Sequence, residues 1–325
     1  MMKIFKTLSL TAFLAFISWG GLNAQDISEA VDLYNSSIKA FQENQYDQAI
    51  GDIEKALNIV TAITDEVDEQ VETVKANCEK IIAQLYFSKA KQEINSKQYA
   101  EAIQTLNKAV ELAEKYTDDD VLISAENLMP QVYTAKGTAD MEAGKIEEAI
   151  TEYRKALELD KNNSTIHLRI ALARLKANDE AGAIAGFNEI IAMEGAKPAD
   201  VANAQKQAGV LFLKRAAAAQ SAKKWSEVYE NAQKAVGYDN ANTAAQRFLG
   251  ISSIELKKWK DAVTACEAVM AADPDAKDKN NTIYRLATAY ENMNNKAKAC
   301  GYYKQLVTDA NYKAYAEPKV KELCQ

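Results

Sequence analysis

One histidine in 325 residues is the sharpest absence in this sequence. Catalytic triads, Cys/His dyads and histidine metal sites would all have to run through His167, and no nucleophile shares its motif. Proline at 4 and glycine at 12 fall far below the usual ~5% and ~7%. Turn-rich sheet folds need those residues at their corners, so their scarcity points to a helical protein. The four cysteines form no C-x-x-C or Cys/His cluster of the kind that holds zinc. The acidic clusters Asp65, Glu66, Asp68, Glu69 and Glu72, and Asp118 to Asp120, do not match a calcium loop with its central glycine and closing glutamate. With no phosphate-cradling loop and no converged set of titratable groups, neither an enzyme nor a cofactor is expected. Positive charge is also short, with 39 Lys and Arg against 46 Asp and Glu and a net charge of −7. That balance leaves no electrostatic footprint for a phosphate backbone, and nucleic acid is not expected as a partner.

What is present begins at the N-terminus. Lys3 and Lys6 precede an apolar run from Leu8 to Trp19, followed by Gly20, Gly21 and Ala24. This is the layout of a signal peptide over residues 1–24, and the run is too short to span a bilayer. Cleavage after Ala24 leaves Gln25 first, with no cysteine to accept a lipid. The expectation is an exported, periplasmic or secreted chain with no transmembrane segment in its mature form.

The body of the sequence repeats itself. Lys223-Lys224-Trp225 recurs as Lys257-Lys258-Trp259, thirty-four residues on. A second echo runs Glu54-Lys55-Ala56-Leu57, Asn107-Lys108-Ala109-Val110, Arg154-Lys155-Ala156-Leu157 and Gln233-Lys234-Ala235-Val236, each eight residues beyond Tyr46, Tyr99, Ile146 or Trp225. Adding Glu180, Trp259 and Lys296 gives seven anchors. Nine residues before them stand Ser37, Ala90, Gly137, Ala171, Ala216, Gly250 and Ala287; three residues after them stand Ala49, Ala102, Ala149, Ala183, Val228, Ala262 and Ala299. Helical apolar spacing on both sides of each anchor predicts two antiparallel helices, and the small residues let them approach closely. Extended helices or insertions are expected near 60–82, where a first helix starts by Asp65, and near 115–130 and 194–205. Pro130, Pro198, Pro274 and Pro318 are expected between helices. A short apolar stripe at Val320, Leu323 and Cys324 predicts a terminal helix near 316–324, closing the last exposed face.

Leu249-Gly250, Trp259, Ala262 and Asp273-Pro274, together with Tyr133, Gly137, Ala149, Tyr153, Ala156, Leu159 and Asp160, resemble the tetratricopeptide repeat over roughly residues 30 to 310. The resemblance implies an all-α fold, a right-handed superhelical solenoid of antiparallel helix pairs over residues 25–325, with about seven pairs and a capping helix. In that arrangement the last pair's second helix runs antiparallel to the cap, which sets Cys300 beside Cys324 as a candidate disulfide. Cys78 and Cys266 fall at core positions.

The resemblance also implies a partner surface lined by the first helix of each pair. Mapped residue by residue, it holds Tyr34, Ile38, Phe41, Phe87, Lys91, Ile94 and Met141, then Leu168, Leu172, Leu175, Leu213, Arg247, Ile251, Ile254 and Tyr284. It reads as an apolar groove whose main cations are Lys91 and Arg247, without the basic clamp that grips a C-terminal carboxylate. The function expected is an exported, non-enzymatic scaffold or adaptor that binds a protein or peptide along this face. The alternative is a self-associating structural component of the cell envelope, a homo-oligomer.

Overall fold

The computed structural model describes residues 22–63 and 69–325, so the lysines and apolar run expected to direct export, and the helix start expected at Asp65, lie outside the described residues. Among the described residues there are fifteen α-helices and no strand. The chain divides at Lys161/Asn162 into two compact units. The first holds three helix pairs: α1 (Leu22–Gln42) with α2 (Tyr46–Ala62), α3 (Glu69–Asn95) with α4 (Tyr99–Tyr116), and α5 (Asp119–Glu142) with α6 (Ile146–Leu159). The second holds four: α7 (Ser164–Lys176) with α8 (Glu180–Ala192), α9 (Pro198–Ser221) with α10 (Trp225–Tyr238), α11 (Thr243–Glu255) with α12 (Trp259–Ala272), and α13 (Lys279–Asn292) with α14 (Lys296–Leu306). A last helix, α15 (Lys313–Leu323), packs on α14.

Each of the seven anchors is the first residue of a second helix. The turn before it has one geometry throughout. Two residues ahead of the anchor the backbone is left-handed, with φ of 53–63° at Asn44, Lys97, Asn178, Lys223, Lys257 and Asn294, and 78° at Gly144. The next amide bonds back to the carbonyl five residues earlier, from Gln45 to Ala40 through Asn295 to Tyr290, at 2.8–3.0 Å. This closure satisfies carbonyls that the first helix would otherwise leave open, and it reverses the chain in a few residues. Glu180 and Lys296, the two anchors with neither an aromatic nor an aliphatic side chain, are preceded by caps. Asp179 accepts from the Gly182 amide at 2.8 Å and Asn295 from the Lys298 amide at 3.2 Å, whereas the other five second helices have no side-chain cap.

All fourteen small residues flanking the anchors are buried. A Cβ on Gly137 would stand 2.7 Å from Tyr153 Cε1, and one on Gly250 would stand 2.9 Å from Cys266 Sγ, so the helices of those pairs touch where glycine leaves room. Gly186 packs the same way on Ala171, between α7 and α8. The surplus over one repeat lies largely in long first helices. α3 has 27 residues and α5 and α9 have 24 each, against 13 or 14 in α7, α11 and α13.

Two prolines correct the expectation that all four lie between helices. Pro198 opens α9 and Pro274 follows α12, but Pro130 sits inside α5 and Pro318 inside α15. The carbonyls deprived of a donor belong to Glu126 and Ala314, both on exposed residues, where water can serve them.

Within the second unit a buried carboxylate joins two helix starts. Asp200, in the first turn of α9, accepts from Ser164 Oγ at 2.7 Å and Thr165 Oγ1 at 2.8 Å, and Ser164 Oγ accepts from the Lys197 amide at 3.1 Å. Both helix N-termini favour the negative charge placed there.

Candidate partner-binding face

In each unit the first helices also touch one another, α1 with α3 and α3 with α5, then α7 with α9, α9 with α11 and α11 with α13, while the second helices make no comparable contact. First helices therefore form the closer layer of each stack. The expected partner face lies on that layer.

In the first unit, Ile38 is buried, Tyr34, Phe41, Phe87, Ile94 and Met141 are half-buried, and Lys91 is exposed with its ammonium 5.4 Å from the Phe87 ring. Tyr34, Phe41 and Phe87 pack on the core between α1 and α3, and Ile94 on the core between α3 and α5. In the second unit, Leu168 is buried and Leu172, Leu175, Leu213, Ile251, Ile254, Arg247 and Tyr284 are half-buried. Leu172, Leu175, Leu213 and Ile254 pack against the cores of their pairs. Arg247 is ion-paired to Asp278.

Tyr284 is covered by the chain itself. Tyr312 stacks on its ring at 4.9 Å between centroids and Tyr315 meets it edge-on at 5.3 Å. Burial, then the neighbouring Tyr315, holds its phenol above the ordinary range. The start of α15 thus occupies the last pair's share of the face. It is fixed there by Glu291 on α13, which accepts from Tyr303 at 2.7 Å and from Lys319 at 2.5 Å. A disulfide joins Cys300 to Cys324, with 5.3 Å between their Cα atoms. Burial, then the hydrogen bond to Glu291, pushes the Tyr303 phenol up. Cys78 and Cys266 are buried free thiols, pushed up by burial to about 12 and about 11.

Three cations recur beside the expected face residues. Arg169, Lys214 and Arg285 each stand eleven residues before the start of their pair's second helix, one residue beyond Leu168, Leu213 and Tyr284. His167, beside this row, is half-buried with Nδ1 3.4 Å from Glu189 Oε1. Among the described residues no cluster of His, Cys, Asp and Glu could hold a metal ion, and no helix is long and apolar enough to cross a membrane.

Sequence models of the tetratricopeptide repeat match residues 83–116 and 282–310, and a TPR repeat model matches residues 137–178. No curated protein sequence matches the chain. Among solved structures, the TPR2AB domain of yeast Sti1 in complex with pHSP90 is similar at 16% identity and a TM-score of 0.36, over 92% of this chain and 99% of that one. The TPR domain of P58(IPK) is similar at 14% identity and a TM-score of 0.31, over 93% of this chain and 79% of the other. YrrB, described as a TPR protein with an unusual peptide-binding site, is similar at 18% identity and a TM-score of 0.31, over 57% and 91%. At these values no ligand carries over from any of them.

Proposed function

We propose that this tetratricopeptide-repeat protein, about seven helix pairs and a terminal helix, is an exported, non-enzymatic scaffold that holds a protein or peptide partner along its first-helix layer. The observation that carries the reading is the set of aliphatic side chains on that layer that are only half-buried, Leu172, Leu175, Leu213, Ile251 and Ile254. A folded domain that keeps such a row partly open gains by covering it with an apolar segment of another chain. Export rests on the N-terminal lysines and apolar run, which suit a signal peptide. The test is capture from native envelopes after mild crosslinking, with the wild type beside a Leu172→Asp/Leu175→Asp variant of unchanged helicity. Loss of the captured partner in the variant supports the reading, and undiminished capture refutes it.

A further inference from the structure

The Cys300–Cys324 bridge ties down the one helix that covers part of the first-helix face. α15 is weakly held without it. Seven of its eleven residues are exposed, only Ala316 and Leu323 are buried, and Pro318 in its middle removes one backbone hydrogen bond. A helix this short has little stability of its own in water. Its other ties are few: the Tyr312 and Tyr315 rings on Tyr284, the Tyr312 hydroxyl donating to Asn281 Oδ1 at 2.5 Å, and the half-buried pair of Lys319 with Glu291. The bridge can be reached from one side. Cys300 is buried in α14, but Cys324, just past the last turn of α15, is half-buried and the Gln325 beside it is exposed. Cys78 and Cys266 are buried thiols whose protons are held more tightly than usual by burial, so neither supplies a ready thiolate to exchange with the bridge.

We propose that the Cys300–Cys324 bridge is a redox-sensitive latch on the partner face: closed, it holds α15 over Tyr284, and reduced, it frees α15 and adds the α13 share to the open surface. The inference rests on the docking role proposed above and names its regulation. The reductant is a dithiol. One of its sulfurs, as a thiolate, attacks Cys324 Sγ and forms a mixed disulfide, while the S–S bond breaks and Cys300 leaves as a thiolate that takes up a proton. The second sulfur then displaces Cys324, which is protonated in turn. Two electrons and two protons have passed to the bridge, and the dithiol ends as a disulfide. Cutting the tether removes its loop-closure advantage and leaves α15 with two buried side chains to hold it. α13 and α14 keep their own contact, where Ala287 and Ala299 are fully buried, so the helix opens as a unit while the pair beneath it stays folded. Because Cys78 and Cys266 stay out of the exchange, reoxidation restores the same pair.

The experiment compares the full chain kept oxidised with the same chain reduced by dithiothreitol, alkylated with iodoacetamide and freed of both reagents. Mass mapping is expected to find the alkyl groups on Cys300 and Cys324 and none on Cys78 or Cys266. Amide exchange over α15 is expected to quicken about a hundredfold, with no change over α9 to α12. Tetranitromethane is expected to nitrate Tyr284 at least about tenfold faster in the opened chain. A Tyr312→Ala/Tyr315→Ala variant, with the bridge intact, is expected to give the faster nitration without reduction, which tests the cover apart from the disulfide. Equal protection of Tyr284 in the oxidised and reduced chains overturns the latch, and so does loss of protection throughout α9 to α14. Crosslinked capture from native envelopes is then run on both states. The yield of the partner that Leu172→Asp/Leu175→Asp loses is expected to rise at least about threefold on opening. An equal yield with Tyr284 unmasked overturns the gating and leaves the docking role standing. A yield that Leu172→Asp/Leu175→Asp does not lower overturns the docking role and the gating with it.

Discussion

Single residues set how closely the helices approach and how the chain turns between them. Replacing Gly137 or Gly250 with leucine drives a side chain into Tyr153 or Cys266, and overpacking of this kind costs about 1–3 kcal/mol. Both variants are expected to unfold at lower urea concentration, and unchanged midpoints would contradict the packing. At the turns, Lys257 holds φ 57° where glycine would sit without strain. Lys257→Gly is expected to raise stability by about 0.5–1 kcal/mol, and Gly144→Ala to lower it by about as much, read from urea midpoints. The buried thiols add a pH dependence. An unfolded thiol loses its proton near pH 9, while Cys266 keeps its proton to about 11 and Cys78 to about 12. Their contribution is complete below pH 9 and is lost as pH rises toward 11–12, because the unfolded state is then the one that ionises. Urea midpoints should fall over that alkaline window, and less steeply in a Cys266→Ala variant; equal slopes would contradict it.

Elements show where sequence periodicity suffices and where it does not. The seven second helices begin at the seven anchors because one tight turn, with its left-handed residue and backward hydrogen bond, recurs before each of them. Glu180 and Lys296 break the apolar pattern at the anchor, and capping by Asp179 and Asn295 stands beside the change. That α5 continues through Pro130 and α15 starts ahead of Pro318 was not legible, because a proline's cost depends on whether the freed carbonyl meets water, which spacing does not reveal. The terminal helix is the element most dependent on a covalent tie. Only Ala316 and Leu323 of α15 are buried, and the Cys300–Cys324 bridge closes a separation of 24 residues. A Cys300→Ser/Cys324→Ser variant is expected to lose about 3 kcal/mol on the chain-entropy account, and α15 to exchange its amides faster. Unchanged exchange over residues 313–325 would show that packing alone holds it.

At the scale of the molecule, the repeated helix pair lets each compact unit grow by addition, with stability coming from neighbour contacts within and between pairs. The same repetition sets equivalent residues side by side, which is how the first helices of one unit come to share an apolar row. A surface built this way suits an extended or helical segment more than a small substrate. The most direct measurement of that claim places a photoreactive side chain at Leu172, Leu213 or Ile251 on the first-helix layer, and at the exposed Glu230 of α10 as the comparison. Irradiation in native envelopes is predicted to give partner adducts from the first three positions and none from Glu230. Adducts from Glu230 alone would contradict the account.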